Sequence, residues 1–124
     1  MNYCAVDILR KVDGGYEIYE VKDSKAVEEQ FVRDIGFQRY ILMKCGIKIK
    51  GCFVITHGSD ESNPFVINDV SSNAKSYSYE VDDNIWRLAR IKKQEEEYEM
   101  SMGCHCDEPY ECWYKKYCKI RELL

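Results

Sequence analysis

The chain predicts an α/β (α+β) fold, a mixed sheet flanked by helices. Three observations carry that expectation. Two β-rich runs meet at the turn signal Asp13-Gly14-Gly15. A helical apolar stripe follows, and then a strand that becomes continuously apolar at Cys52-Phe53-Val54-Ile55. The order strand–strand–helix–strand, then further strands and a helix, belongs to this class.

The first twenty-two residues read as a hairpin. A two-residue turn at Asp13-Gly14 pairs Val12 with Gly15 and puts Asp7 opposite Glu20. A turn at Gly14-Gly15 sets Asp7 opposite Lys22 instead. Both registers keep parity, so Asp7, Glu20 and Lys22 share one face.

Ser24 is the expected N-cap of a helix running to about Cys45, with Gly46 as its stop. Val27, Phe31, Ile35, Ile41, Leu42 and Cys45 form its apolar stripe. Asp34 and Gln38 fall on the same stripe and are expected to face the sheet. Residues 47–56 form the third strand, and Gly58 to Pro64 a polar loop. Residues 65–70 and 75–81 are weaker strand candidates. Asp82, Asp83 or Asn84 would cap a second helix reaching about Met100, its end a solvated run of Glu95, Glu96, Glu97 and Glu99.

At 124 residues the chain is one domain or part of one, with a core over residues 1–102 and a cysteine-rich module over 103–124. No run of 18 apolar residues exists, so no membrane partner is expected. The first residues lack a basic stretch followed by an apolar one, so no signal peptide is expected and the location is cytoplasmic. A formal charge of −4 argues against a general nucleic-acid coat protein. It leaves room for a nuclease, whose metal supplies positive charge locally.

Two carboxylates and a lysine inside apolar strands are costly to bury without partners. A hard divalent cation removes that cost, because carboxylate oxygens are its natural ligands. Asp7 and Glu20 are therefore candidate metal ligands. Lys22 would orient water or neutralise charge developing on a phosphodiester. The plainer alternative is an exposed Glu–Lys salt bridge. His57, at the end of the third strand, is a further polar group there, more in keeping with a surface residue.

Seven cysteines without a secretory signal favour metal or cofactor ligation over disulfides. Cys104, Cys106, Cys112 and Cys118 cluster, while Cys4, Cys45 and Cys52 lie singly in apolar surroundings. Four thiolates suit zinc or an iron–sulfur cluster. The x₅ spacings are wide for a zinc knuckle, and aromatic residues with Pro109 would shield a cluster, so iron–sulfur is favoured over zinc. Cys104 and Cys106 are so close that one is potentially spare, with Cys4 an alternative ligand. His105 is either a ligand or a neighbour.

Asp7, then Glu20-Val21-Lys22, then a helix carrying Gln38, resembles the PD-(D/E)XK nuclease superfamily, in particular its RecB-like branch. Gly103-x-His105-Cys106-x-x-Pro109-Tyr110-x-Cys112-x₅-Cys118 is similar to the signature of a bacterial family of unknown function within that branch, itself similar to the CRISPR-associated iron–sulfur exonucleases and the AddB nuclease domain. The resemblance covers nearly the whole chain. It implies a restriction-endonuclease-like sheet and a DNA substrate. It implies magnesium or manganese held by Asp7 and Glu20, with the Val21 carbonyl as a further ligand. Lys22 would assist the attacking water, and Gln38 would lie beside the site. The cysteines would hold a 4Fe–4S cluster as a structural clasp.

Three departures stand out. The tyrosine expected four positions after Gln38 is Leu42 here, and the nearest is Tyr40. The usual helix upstream of Asp7 is missing, as is the cysteine relatives take from that region. The expectation is a truncated or minimal form, completed by a second copy (a homo-oligomer) or by a missing N-terminal partner segment. The competing functional class is an inactive nuclease-fold module that binds nucleic acid or protein.

Overall fold

The structure, a computed structural model, describes residues 2–124. Two compact units divide it, Met1–Arg87 and Leu88–Leu124. Its elements are β1 (Ile8–Val12), β2 (Gly15–Val21), α1 (Glu29–Lys44), β3 (Ile49–Asp60), β4 (Asn63–Asp69), α2 (Ser71–Lys92) and α3 (Lys115–Glu122), with a 3-10 turn at Cys104–Cys106.

The first unit is an α+β arrangement around a mixed sheet of order β1-β2-β3-β4. β1–β2 and β3–β4 are antiparallel, while β2 and β3 are parallel, joined through α1. The first hairpin turns at Asp13-Gly14, because Val12 pairs with Gly15. Gly14 sits at φ 77°, a conformation that glycine adopts without a Cβ clash. The same register, carried one residue past Ile8↔Tyr19, sets Asp7 opposite Glu20.

α1 starts at Glu29, not after Ser24. The Ser24 carbonyl still accepts the His57 N–H (2.8 Å), so the chain there remains tied to β3. The Ser24 hydroxyl instead closes a local turn on Ala26. The helix ends as expected. Gly46 N–H donates to the Met43 carbonyl and Ile47 N–H to the Leu42 carbonyl, with Gly46 at φ 81°.

Two other expectations are corrected. Residues 58–64 are not a loop: β3 runs to Asp60 and β4 begins at Asn63. The Asp60 carboxylate accepts the N–H groups of Ser62 and Asn63, which tightens the hairpin to two residues. Residues 75–81 are not a strand but part of α2, which also absorbs Asp82, Asp83 and Asn84 and stops at Lys92 rather than Met100. Asp69 accepts both the N–H and the hydroxyl of Ser71 at the helix start. The Ser-Tyr-Ser-Tyr alternation imitates a strand, but the buried residues, Ala74 and Ser78, are one helical turn apart.

The core joins Ile18, Cys52 and Val54 of the sheet to Val32 and Ile35 of α1, and to Val70 and Ala74. Burial pushes the Cys52 thiol up to about 11, helped by Asp69 and opposed by Arg39, so it is an inert core group. α1 and α2 touch at Gly36, where an added Cβ would lie 2.9 Å from Tyr77 Cβ and 3.0 Å from the Ala74 carbonyl. Polar contacts lace the same seam. Arg39 donates to the Ser78 hydroxyl, Tyr77 to Glu29 and Tyr40 to Asp82.

No helix among the described residues is long and apolar enough to cross a membrane.

Candidate active site

Strand parity builds the site. Ile18 pairs with Cys52 and Glu20 with Val54, and all four are buried. Glu20 thus continues the apolar face that α1 covers, at the carboxyl end of a parallel strand pair. It is 9% exposed. A carboxylate there needs donors, and the fold supplies two. Lys22 Nζ lies 3.1 Å from Glu20 Oε1, and Gln38 Nε2 donates to Glu20 Oε2 at 2.8 Å.

The helix completes the cluster. Asp34 and Gln38 are one turn apart on α1 and both reach β2. Lys22 Nζ lies 3.2 Å from Asp34 Oδ2, so the ammonium bridges two carboxylates. It also sits 5.2 Å from the centre of the Phe31 ring. Burial pulls the Lys22 pKa down, but the bonds to Glu20 and Asp34 outweigh it, and the net value stands above that of an ordinary lysine. Lys22 is therefore a cation at neutral pH and not a base.

Asp7 is exposed and accepts the Val21 N–H on Oδ2 at 2.9 Å. It satisfies a β2 donor just beyond the last β1 pair. Its second oxygen makes no side-chain bond among the described residues.

Gln38 is 6% exposed, and its Oε1 is the one buried side-chain polar atom without a partner among the described residues. A cleft of about 480 Å³ is lined by Glu20, Arg33, Asp34 and Gln38 with Tyr3, Cys4, Ala5 and Phe37; Asp7 and Lys22 are outside that lining.

The structure thus gathers Glu20, Lys22 and Gln38, with Asp7 at the neighbouring register position. Asp34 joins them. The sequence placed Asp34 on the sheet-facing stripe but gave it no role, although its spacing of four from Gln38 is the signal. His57 pairs with Asp23 instead. Tyr40 is held by Asp82 and does not line the cleft.

In the second unit, Cys106, Cys112, Cys118 and His105 line a mostly apolar cavity of about 630 Å³ with Ile91, Tyr98, Met100, Met102 and Tyr117. Cys112 N–H donates to the Cys106 carbonyl and Lys115 N–H to that of Cys112, which fixes the loop between the thiols. Cys104 is exposed and outside this lining. Glu97 is not merely solvated, since it accepts from Tyr117 and Arg121. All seven thiols are free.

No three His, Cys, Asp or Glu side chains among the described residues stand close enough to hold one ion. The donor chemistry still suits magnesium, which takes one or two protein carboxylates and completes its shell with water and substrate oxygens. Asp7, Glu20 and the unpartnered amide oxygen of Gln38 are all hard oxygen donors. Cys106, Cys112 and Cys118 are soft donors on the wall of one apolar cavity, the ligand type that zinc and iron–sulfur groups take, but they are not drawn together around one point.

A scan against protein-family models and searches of curated proteins and of solved structures find no match for the chain.

Proposed function

We propose that the chain is a metal-dependent DNA nuclease of the RecB-like PD-(D/E)XK type, acting in the cytoplasm. One observation carries this reading: the buried Glu20 meets Lys22 and Gln38 at the end of parallel strands, and a desolvated Gln38 oxygen is left over. That oxygen belongs to a residue lining the cleft and is open to a donor there.

Asp7 and Glu20 hold magnesium or manganese, with the Val21 carbonyl. The ion supplies Lewis-acid activation of water and charge neutralisation at the phosphodiester. Lys22, permanently protonated, donates to the non-bridging phosphate oxygens and to the attacking water. Gln38 fixes the Glu20 carboxylate through Nε2, and its Oε1 is available to accept a hydrogen bond from a water in the cleft. Cys106, Cys112 and Cys118 would hold a 4Fe–4S cluster as a structural clasp, with zinc the alternative occupant; Cys104, exposed and outside the cavity lining, is the candidate fourth ligand.

A second reading has its own support. Both Glu20 oxygens are already bonded, so the same cluster would serve an inactive module that binds nucleic acid or protein. Glu20→Gln separates the two. It keeps the shape and the Gln38 contact while removing the charge. The expected result is loss of manganese-dependent cleavage of single- and double-stranded oligonucleotides by about a thousandfold, with an unchanged circular dichroism spectrum. Cleavage equal to the parent protein would remove the catalytic assignment.

A further inference from the structure

We propose that Asp34 is a positioning residue for Lys22: it keeps the ammonium at the cleft when a divalent cation takes Glu20. This rests on the nuclease reading and adds a residue that the superfamily resemblance does not mark.

The geometry points to this role. Lys22 Nζ is nearly equidistant from Glu20 Oε1 and Asp34 Oδ2, at 3.1 and 3.2 Å. The two carboxylates come from different elements and different environments. The Glu20 side chain is 12% exposed and the Asp34 side chain 40%. Glu20 is thus the deep ligand, and Asp34 the outer one at the rim.

A divalent ion beside Glu20 would repel an ammonium that had Glu20 as its only partner. Lysine has four rotatable bonds and a strongly hydrated head group, so an untethered Lys22 would swing into water. Asp34 prevents this because its own position is fixed. It precedes Ile35, which is fully buried, and Gly36, which is pressed against Tyr77 of α2. The backbone from which the carboxylate projects is therefore held by core packing on its C-terminal side. The ammonium can release Glu20 and remain on Asp34, which lines the cleft with Glu20 and Gln38.

The test uses Asp34→Asn and Asp34→Glu in the full chain. Cleavage of an oligonucleotide is followed with manganese, manganese affinity is read from the electron paramagnetic resonance of the free ion, and the Lys22 Nζ resonance is followed by nitrogen NMR during magnesium titration. Asp34→Asn should lower kcat about 10- to 100-fold, the range expected for misplacing a reacting group. It should leave KM and manganese affinity within about threefold, because the ion keeps its own ligands. Asp34→Glu should recover most of the loss. The Lys22 ammonium signal should survive magnesium in the parent protein and broaden into exchange in Asp34→Asn. Full kcat in Asp34→Asn, or a Lys22 signal indifferent to the substitution, would overturn the proposal while the nuclease reading stands. A parent protein that neither cleaves nor binds manganese more tightly than Glu20→Gln would overturn both.

Discussion

Lys22→Met is the most informative single perturbation of the cluster. It keeps the length of the side chain and deletes the ammonium. Glu20, nine-tenths buried, then retains only the Gln38 amide. The gross attraction across 3.1 Å is about 5 kcal/mol at an effective dielectric constant near 20. Desolvation cancels much of it. Exposed pairs are worth about 0–1 kcal/mol, and removing one partner of a fully buried pair costs about 3–5. The Lys22 side chain is 22% exposed and sits between these limits, so a loss of about 2 kcal/mol is expected. Adding Glu20→Gln removes the stranded charge, so the double variant should recover about 1 kcal/mol relative to the sum of the singles. Urea titrations followed by circular dichroism, with chelator present, measure all three. The sign of the pH dependence follows from the raised pKa of Lys22. Its stabilisation is complete below the ordinary lysine value of about 10.4 and is lost as pH rises through the higher folded value. The penalty of Lys22→Met should be constant from about pH 7 to 9 and shrink only in stronger alkali. A variant within about 0.5 kcal/mol of the parent, with an additive cycle, would show that the ammonium does not hold Glu20.

Two further outcomes test the scaffold and the cysteine module. Gly36→Ala gains about 1 kcal/mol of helix propensity but forces a Cβ to within 3.0 Å of the Ala74 carbonyl, so net destabilisation is expected, and Gly36→Val should lose about 3 kcal/mol in urea; an alanine variant more stable than the parent would mean that the seam is loose. Cys106→Ser, Cys112→Ser and Cys118→Ser should each lower the iron bound per chain after anaerobic reconstitution, and Cys104→Ser should do so least because that thiol is outside the cavity; equal losses from all four would place Cys104 in the ligand set.

The parts of the fold legible in the sequence are those set by local chemistry. Asp13-Gly14-Gly15 marked the hairpin while leaving two registers open, Gly46 ended α1 through its positive φ, and the apolar run in β3 marked a central strand. The misses all came from tertiary contacts overriding local signals. Ser24 looks like a helix cap, but its carbonyl is tied to the His57 N–H and its hydroxyl closes a bend on Ala26, so the helix starts later. Tyr77 and Tyr79 look like strand residues, but Ala74 and Ser78 are small because α2 must approach Gly36. The polar segment after His57 looks like a loop, but Asp60 binds two N–H groups and lets both strands continue. In the site, the β2 triplet was visible because period-two alternation is exact over a few residues. Asp34 was visible only as a polar residue on an apolar stripe. Its role depends on which β2 side chain it meets, and that is set by the packing of α1 on the sheet.

Gln38 remains the test of whether the cluster exists for folding or for chemistry. Elsewhere the same core face solves polar burial completely. Thr56, 3% exposed, receives the Asn68 amide, which also bonds the Val54 carbonyl. Ser78, equally buried, accepts from Arg39 and donates to the Lys75 carbonyl. Against this background one amide with a bonded nitrogen and an idle oxygen is anomalous, because a methionine would fill the space without a desolvated acceptor. A methionine would also leave Glu20 Oε2 bare. Gln38 therefore supports Glu20 through its nitrogen, while its oxygen is open to a donor from the cleft that Gln38 lines.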